Sequence, residues 1–178
     1  MINQIHEITT ERLYMRTLTE ADAKIVKDNN SDEFETEEAA LKWIKWVQNK
    51  NNEGRLIVNF YIWLTGTEQC IGRVYIHSKP ELNGEVEIGY GISEEYRNKG
   101  YATAAVKIIL RYGFHYLGLE RISSSTQEEN IGSQRVLEKC GFTLEGRERK
   151  AKYLAGKRHD MLIYGLLLGE YKLKEERE

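Results

Sequence analysis

The sequence predicts a single α/β (α+β) domain, and three observations predict it. The chain is 178 residues long with 40% hydrophobic residues, enough to close one core and short for two. Its middle third is rich in β-branched and aromatic runs, with segments of helical periodicity before and after them. Two of its strand-like segments are each followed, across a short polar turn, by a helix. The balance of 26 Lys+Arg against 28 Asp+Glu gives a formal charge of -2, so there is no global field to collect phosphates and nucleic acid is not an expected partner. No apolar stretch is long enough for a membrane span, and Glu7, Glu11 and Arg12 interrupt the N-terminus where a signal peptide would be apolar, which predicts a cytoplasmic protein. The domain is expected over residues 1–171, with 172–178 as a charged tail.

Element by element, a first strand is predicted near Arg12 to Leu18. Thr19 ahead of Glu20, Ala21 and Asp22 is an N-cap signal, and Thr36 with Glu37 and Glu38 opens a second helix. In that helix Ala40, Trp43, Ile44 and Val47 make one apolar stripe, and Trp43, Trp46 and Trp63 read first as core. Ile57 to Leu64 and Cys70 to His77, joined by Thr65, Gly66 and Thr67, predict an antiparallel hairpin. After a loop holding Pro80, Asn83 and Gly84 comes a strand, Glu85 to Ile92. Val86, Ile88, Tyr90 and Ile92 fall on one of its faces; Glu85, Glu87, Gly89 and Gly91 fall on the other. Glycines inside a strand mark a bulge or a close approach, so this face is expected to make room for a ligand.

The strand leads into Arg97, Asn98, Lys99, Gly100, Tyr101 and Ala102, then a long helix in which Ala105, Val106, Ile109, Leu110, Gly113 and Leu117 keep helical spacing. A polar turn with Gly at a helix N-terminus presents unpaired N–H groups and the positive end of the dipole, and Arg97 and Lys99 add countercharge, so a diphosphate fits here. A plain strand-to-helix connection would look the same. The order Lys-Gly excludes a nucleoside-triphosphate loop, and a lone Gly100 excludes a dinucleotide fingerprint. A second strand, Arg121 to Thr126, precedes Asn130, Ser133 and a helix ending at Cys140 and Gly141. Asn130 and Ser133 suit helix capping as well as binding.

In this order the landmarks are recognisable. They are Thr10-Glu11-Arg12-Leu13 with Arg16-Thr17-Leu18-Thr19 and Asp22-Ala23, Ile71-Gly72, Glu87-Ile88-Gly89-Tyr90, Arg97 to Ala102, Asn130 with Ser133, Glu138 to Phe142, and His159-Asp160. The chain resembles the GCN5-related N-acetyltransferase (GNAT) superfamily, in its branch of ribosomal-protein-alanine acetyltransferases of the RimJ and RimL type. The resemblance implies a three-layer fold: a mixed, mostly antiparallel sheet of about seven strands, helices on both faces, and splayed middle strands that admit acetyl-CoA. It implies that the turn Arg97, Asn98, Lys99, Gly100, Tyr101 and Ala102 holds the pyrophosphate. It further implies that backbone groups around Tyr90 and Ile92 pair with the pantetheine arm, that Asn130 meets that arm from the other side, and that Gly89 and Gly91 keep the surface clear.

Acyl transfer to an amine needs a base for the protonated nucleophile and a hydrogen-bond donor for the leaving thiolate. Glu87 is the candidate base, with a surface carboxylate as its alternative and Glu148 in reserve. The resemblance implies Ser133 as the thiolate donor, because Leu137 stands where many members have Tyr. It also implies direct attack in a ternary complex without a metal. Neither Cys70 nor Cys140 has metal-type spacing or a nucleophile's placement. One departure is Lys152, which precedes Tyr153-Leu154-Ala155-Gly156 where some of the branch carry a carboxylate. The acceptor is expected to be a protein N-terminus. The alternatives are a small amine such as a polyamine or aminoglycoside, which the acids Asp28, Asp32, Glu33, Glu35, Glu37 and Glu38 would suit, and a catalytically weak acetyl-CoA-binding regulatory module. The segment Arg147 to Arg158 carries a net +5, against -7 for the rest, and reads as a solvated hairpin face or as a surface that steers the acidic cofactor or docks on RNA. A monomer and a homodimer are both compatible with the chain.

Overall fold

The computed structural model describes residues 6–29, 33–52, 56–78 and 86–175, apart from the side chains of 50–52 and 173–175. Asp32, the Pro80 loop, Glu85 and the last three residues lie outside them.

Eight strands form one sheet: β1 (Glu7–Thr9), β2 (Leu13–Thr17), β3 (Ile57–Leu64), β4 (Cys70–Ser78), β5 (Val86–Ile92), β6 (Arg121–Gln127), β7 (Thr143–Leu154) and β8 (Lys157–Leu167). They are ordered β1-β2-β3-β4-β5-β6-β8-β7. The short β1, paired on β2 at the sheet edge, is the addition to the expected seven. All neighbours are antiparallel except β5 and β6, which run parallel and pair only at Val86↔Ile122 and Glu87↔Ser123. Both strands continue well beyond that short ladder, so they part toward their C-terminal ends, which is the splay the family resemblance implies.

Five helices cover the two faces: α1 (Ala23–Asn29), α2 (Glu37–Asn52), α3 (Tyr101–Arg111), α4 (Ile131–Cys140) and α5 (Leu168–Glu175). β3 is buried on both sides because the layers meet there. Phe60 and Ile62 join Ile88, Val106, Ile109 and Leu137 in the larger core under α3 and α4. Tyr61 and Trp63 join Val26, Ala40 and Ile44 under α1 and α2. Asp22 accepts from both the N–H and the hydroxyl of Thr19, and the Thr36 hydroxyl caps α2 through the Ala39 N–H, so both N-terminal signals are realised.

Two expectations, on Trp46 and on the helix after Gly100, are corrected. Trp46 is 47% exposed rather than core, because six residues beyond Ala40 it has rotated off the apolar stripe. α5 runs to Glu175 and is anchored by buried Tyr171, whose ring stacks on Phe114 at 4.8 Å. The long helix after Gly100 changes character at Tyr112, where a π-helical turn, Tyr112–Tyr116, follows α3. Among the described residues no helix is long and apolar enough to cross a membrane.

Candidate active site

The parting of β5 from β6 opens a cleft of about 240 Å³. Its walls include Tyr90 from β5, Ser124 and Ser125 from β6, and Asn130 and Ser133 at the start of α4. α3 follows β5 and α4 follows β6 in the chain, and the start of α4 lines the cleft through Asn130 and Ser133. The polarity of the opening follows from the backbone. Ser123 Oγ donates to the Val86 carbonyl and Ser124 Oγ to the Ile88 carbonyl, so the even-numbered peptide groups of β5 face β6. Past Ile88 they lack a partner strand, which leaves the Tyr90 backbone as an edge on which an extended chain can add. Ile92 offers only its N–H, because Arg97 Nε donates to its carbonyl at 3.1 Å.

Gly89 does not clear this surface for a ligand, as expected. A Cβ there would lie 2.2 Å from the Tyr75 ring, so the glycine makes room for tyrosine, whereas a Cβ on Gly91 of the same strand would meet nothing within 4 Å. Burial raises the Tyr75 hydroxyl pKa and holds the neighbouring His77 imidazole below its ordinary range.

In the turn expected to hold a diphosphate, Asn98 and Gly100 both take left-handed φ, 60° and 81°, and turn the chain into the first N–H groups of α3. Lys99 Nζ donates to the Glu95 carbonyl and lies over the Tyr96 ring. Sequence reading gave no role to Arg12, which donates to the Lys99 carbonyl at 2.8 Å and sits over the Tyr101 ring. That guanidinium tethers the turn from 87 residues away, where only its place among the N-terminal landmarks signalled it.

Asn130 caps α4 by accepting from the Ser133 N–H at 3.0 Å, so its capping role is realised, and the residue also lines the cleft. Tyr90 OH lies 2.9 Å from Ser133 Oγ and 3.1 Å from the Ser133 carbonyl. Burial pushes the Tyr90 phenol up to about 12, so it stays protonated as a donor beside the serine. The sequence marked Tyr90 for its backbone alone; the phenol's meeting with a residue 43 positions on was not visible there. Leu137, at the position where a Tyr is usual, is fully buried in the core. Glu87 sits at the closed end of the splay, where its carboxylate accepts from the Ser125 hydroxyl at 2.7 Å, and Ser125 lines the cleft. Glu148 pairs with Met161 on the terminal hairpin and does not line it.

The residues present therefore fit an acyl-CoA: a backbone edge for an extended arm, an N-terminal anion cradle, a donor pair and a carboxylate. Fold and site together define an acyl-transferring α/β protein of the kind the resemblance implies. Residues 12–143 match the Acetyltransferase (GNAT) domain model, and the chain belongs to that family and is an acetyltransferase. Proteins of this fold use acetyl-CoA. The chain is 33% identical to the Bacillus subtilis (strain 168) protein called uncharacterized N-acetyltransferase YnaD, over 92% of this chain and 98% of that one. A crystal structure described as ribosomal-protein-S5-alanine acetyltransferase from Vibrio fischeri superposes with a TM-score of 0.82 over 93% of this chain and 98% of that one; at 20% identity it shows the fold alone. Spermidine N(1)-acetyltransferase from Vibrio cholerae serotype O1 is 23% identical over 93% of this chain and 98% of its own length.

Proposed function

We propose that this acetyltransferase moves the acetyl group of acetyl-CoA to the N-terminal amine of a protein by direct attack in a ternary complex. The observation that carries this reading is the cleft between β5 and β6, with a free backbone edge at Tyr90 on the β5 wall and the Tyr90 phenol meeting Ser133 of α4 across it. Acetyl-CoA supplies the thioester. The turn Arg97 to Ala102 holds the diphosphate with backbone N–H groups, and Tyr90, Ile92 and Asn130 hold the pantetheine arm. Glu87 takes the amine proton through the Ser125 hydroxyl or a water. Ser133, backed by the protonated Tyr90, donates a hydrogen bond to the leaving thiolate.

A polyamine acceptor is less well supported, because acids that would attract a polycation are already paired. Asp28 is paired with Lys24 and Lys27, Glu33 with Arg73 at 2.7 Å and Glu38 with Lys42 at 2.8 Å. The test is free-thiol release across N-terminal peptides, polyamines and aminoglycosides. Peptides are expected to release CoA, with Glu87→Gln lowering turnover about 100-fold and Ser133→Ala lowering it about tenfold. Unchanged turnover in both variants would remove these roles. Binding of acetyl-CoA without release by any acceptor would leave a regulatory module.

A further inference from the structure

The terminal hairpin is irregular at one place. Glu148 pairs with Met161 and Lys152 with His159, so Arg149, Lys150 and Ala151 stand opposite the single residue Asp160. Lys150 adopts a left-handed φ of 53° there, a conformation a non-glycine residue keeps only when its surroundings hold it. Asp160 is the hold: it accepts from the Lys150 N–H at 2.7 Å and from Arg147 Nε at 2.8 Å. Such bulges re-aim the side chains that follow. The residue that follows is Lys152, and it lines the cleft beside Tyr75, Gly89, Ser125 and Met161, none of them acidic.

The nearby acids have other partners. Glu87 takes the Ser125 hydroxyl, Glu129 is engaged with His159 and Lys157, Asp160 holds the bulge, and Glu33 pairs with Arg73. Among the described residues, Lys152 has no acidic partner. An unpaired ammonium on the wall of an acceptor cleft attracts an incoming carboxylate and repels a second ammonium.

We infer that Lys152 determines acceptor specificity, selecting an amine that has a carboxylate close to it, as an acidic peptide N-terminus has, and rejecting polycations. This rests on the acetyl-transfer reading above and deepens it by naming the charge the acceptor carries beside its amine. Lys152 thus reads the substrate's charge.

The experiment compares kcat/KM by thiol release for wild type, Lys152→Gln and Lys152→Glu. The acceptors are peptides identical except for Asp, Asn or Lys at the second position, together with free aspartate and spermidine. Wild type is expected to prefer the Asp peptide over the Asn peptide by about two- to fivefold at low salt, fading as salt rises. Lys152→Gln should flatten the ranking and Lys152→Glu should invert it. A matching preference for free aspartate places recognition in the carboxylate alone; a preference confined to peptides places it in an acidic N-terminus. The inference is overturned by one ranking in all three proteins, or by a wild type that prefers the Lys peptide or spermidine. It is also overturned if Lys152→Gln raises the KM for acetyl-CoA equally with every acceptor. Turnover with an indifferent ranking sinks this inference alone, whereas acetyl-CoA binding without any turnover sinks the transfer reading and this inference with it.

Discussion

Asp22 shows how one buried carboxylate couples the N-terminal layer to pH. It is 5% exposed, accepts both guanidinium nitrogens of Arg16 at 2.7 and 2.8 Å, and takes two further bonds from Thr19. The Arg16 bonds hold its carboxyl at about 2, below the ordinary 3.8. A depressed pKa contributes stability that is fully present above the unfolded value, so it is lost as pH falls from about 4 toward about 2. Asp22→Asn should cost about 2 kcal/mol at pH 7 in denaturant unfolding and make the acid limb of the stability curve shallower. An unchanged acid limb would refute the assignment. Tyr90 is a residue-scale case at the site, since its phenol is useful only while protonated. Tyr90→Phe should slow acetyl transfer about tenfold with little change in the KM for acetyl-CoA, read in the same thiol assay.

At the scale of elements, β4 and β5 lie so close that one side chain would separate them. A Cβ on Gly72 would fall 2.1 Å from the Gly91 carbonyl oxygen, a backbone atom that cannot step aside without breaking the ladder. Gly72→Ala should therefore destabilise the fold by about 3 kcal/mol and weaken acetyl-CoA binding in calorimetry, because β5 carries one wall of the cleft. A neutral effect on both would count against this packing. The strands themselves were legible in the sequence, since Ile57 to Leu64 and Cys70 to His77 carry their β-branched and aromatic pattern locally. So was the end of α4, where Gly141 takes φ 97° as a helix stop requires. What was not legible depends on distant partners. Arg12 reaches the Lys99 carbonyl only after the sheet has formed, Gly89 answers to Tyr75 on the neighbouring strand, and Lys152 follows a bulge that Asp160 holds. Local pattern records what a residue is, whereas these roles are set by what arrives beside it.

For the molecule as a whole, acetyl-CoA is expected to raise the melting temperature, because binding only the folded state stabilises it in proportion to saturation. At about 100 times Kd the gain is about 2.7 kcal/mol, a shift of roughly 5–10 °C for a chain of this size. No shift in differential scanning fluorimetry would end both the enzyme reading and the regulatory one. The two-pair ladder between β5 and β6 has a consequence for assembly. On either side of it lies an antiparallel block drawn from one continuous stretch of chain, 7–92 and 121–167, whose strand pairings are mostly close in sequence. Blocks of short contact order form early, and their junction closes late. The junction is also the candidate cleft, so this cleft is expected to close late on refolding and to exchange its amide hydrogens ahead of the buried β3 at equilibrium. Slowing of that exchange by acetyl-CoA, read at Tyr90 and Ile92 ahead of β3, would show the ligand acting as a clasp across the short β5–β6 ladder.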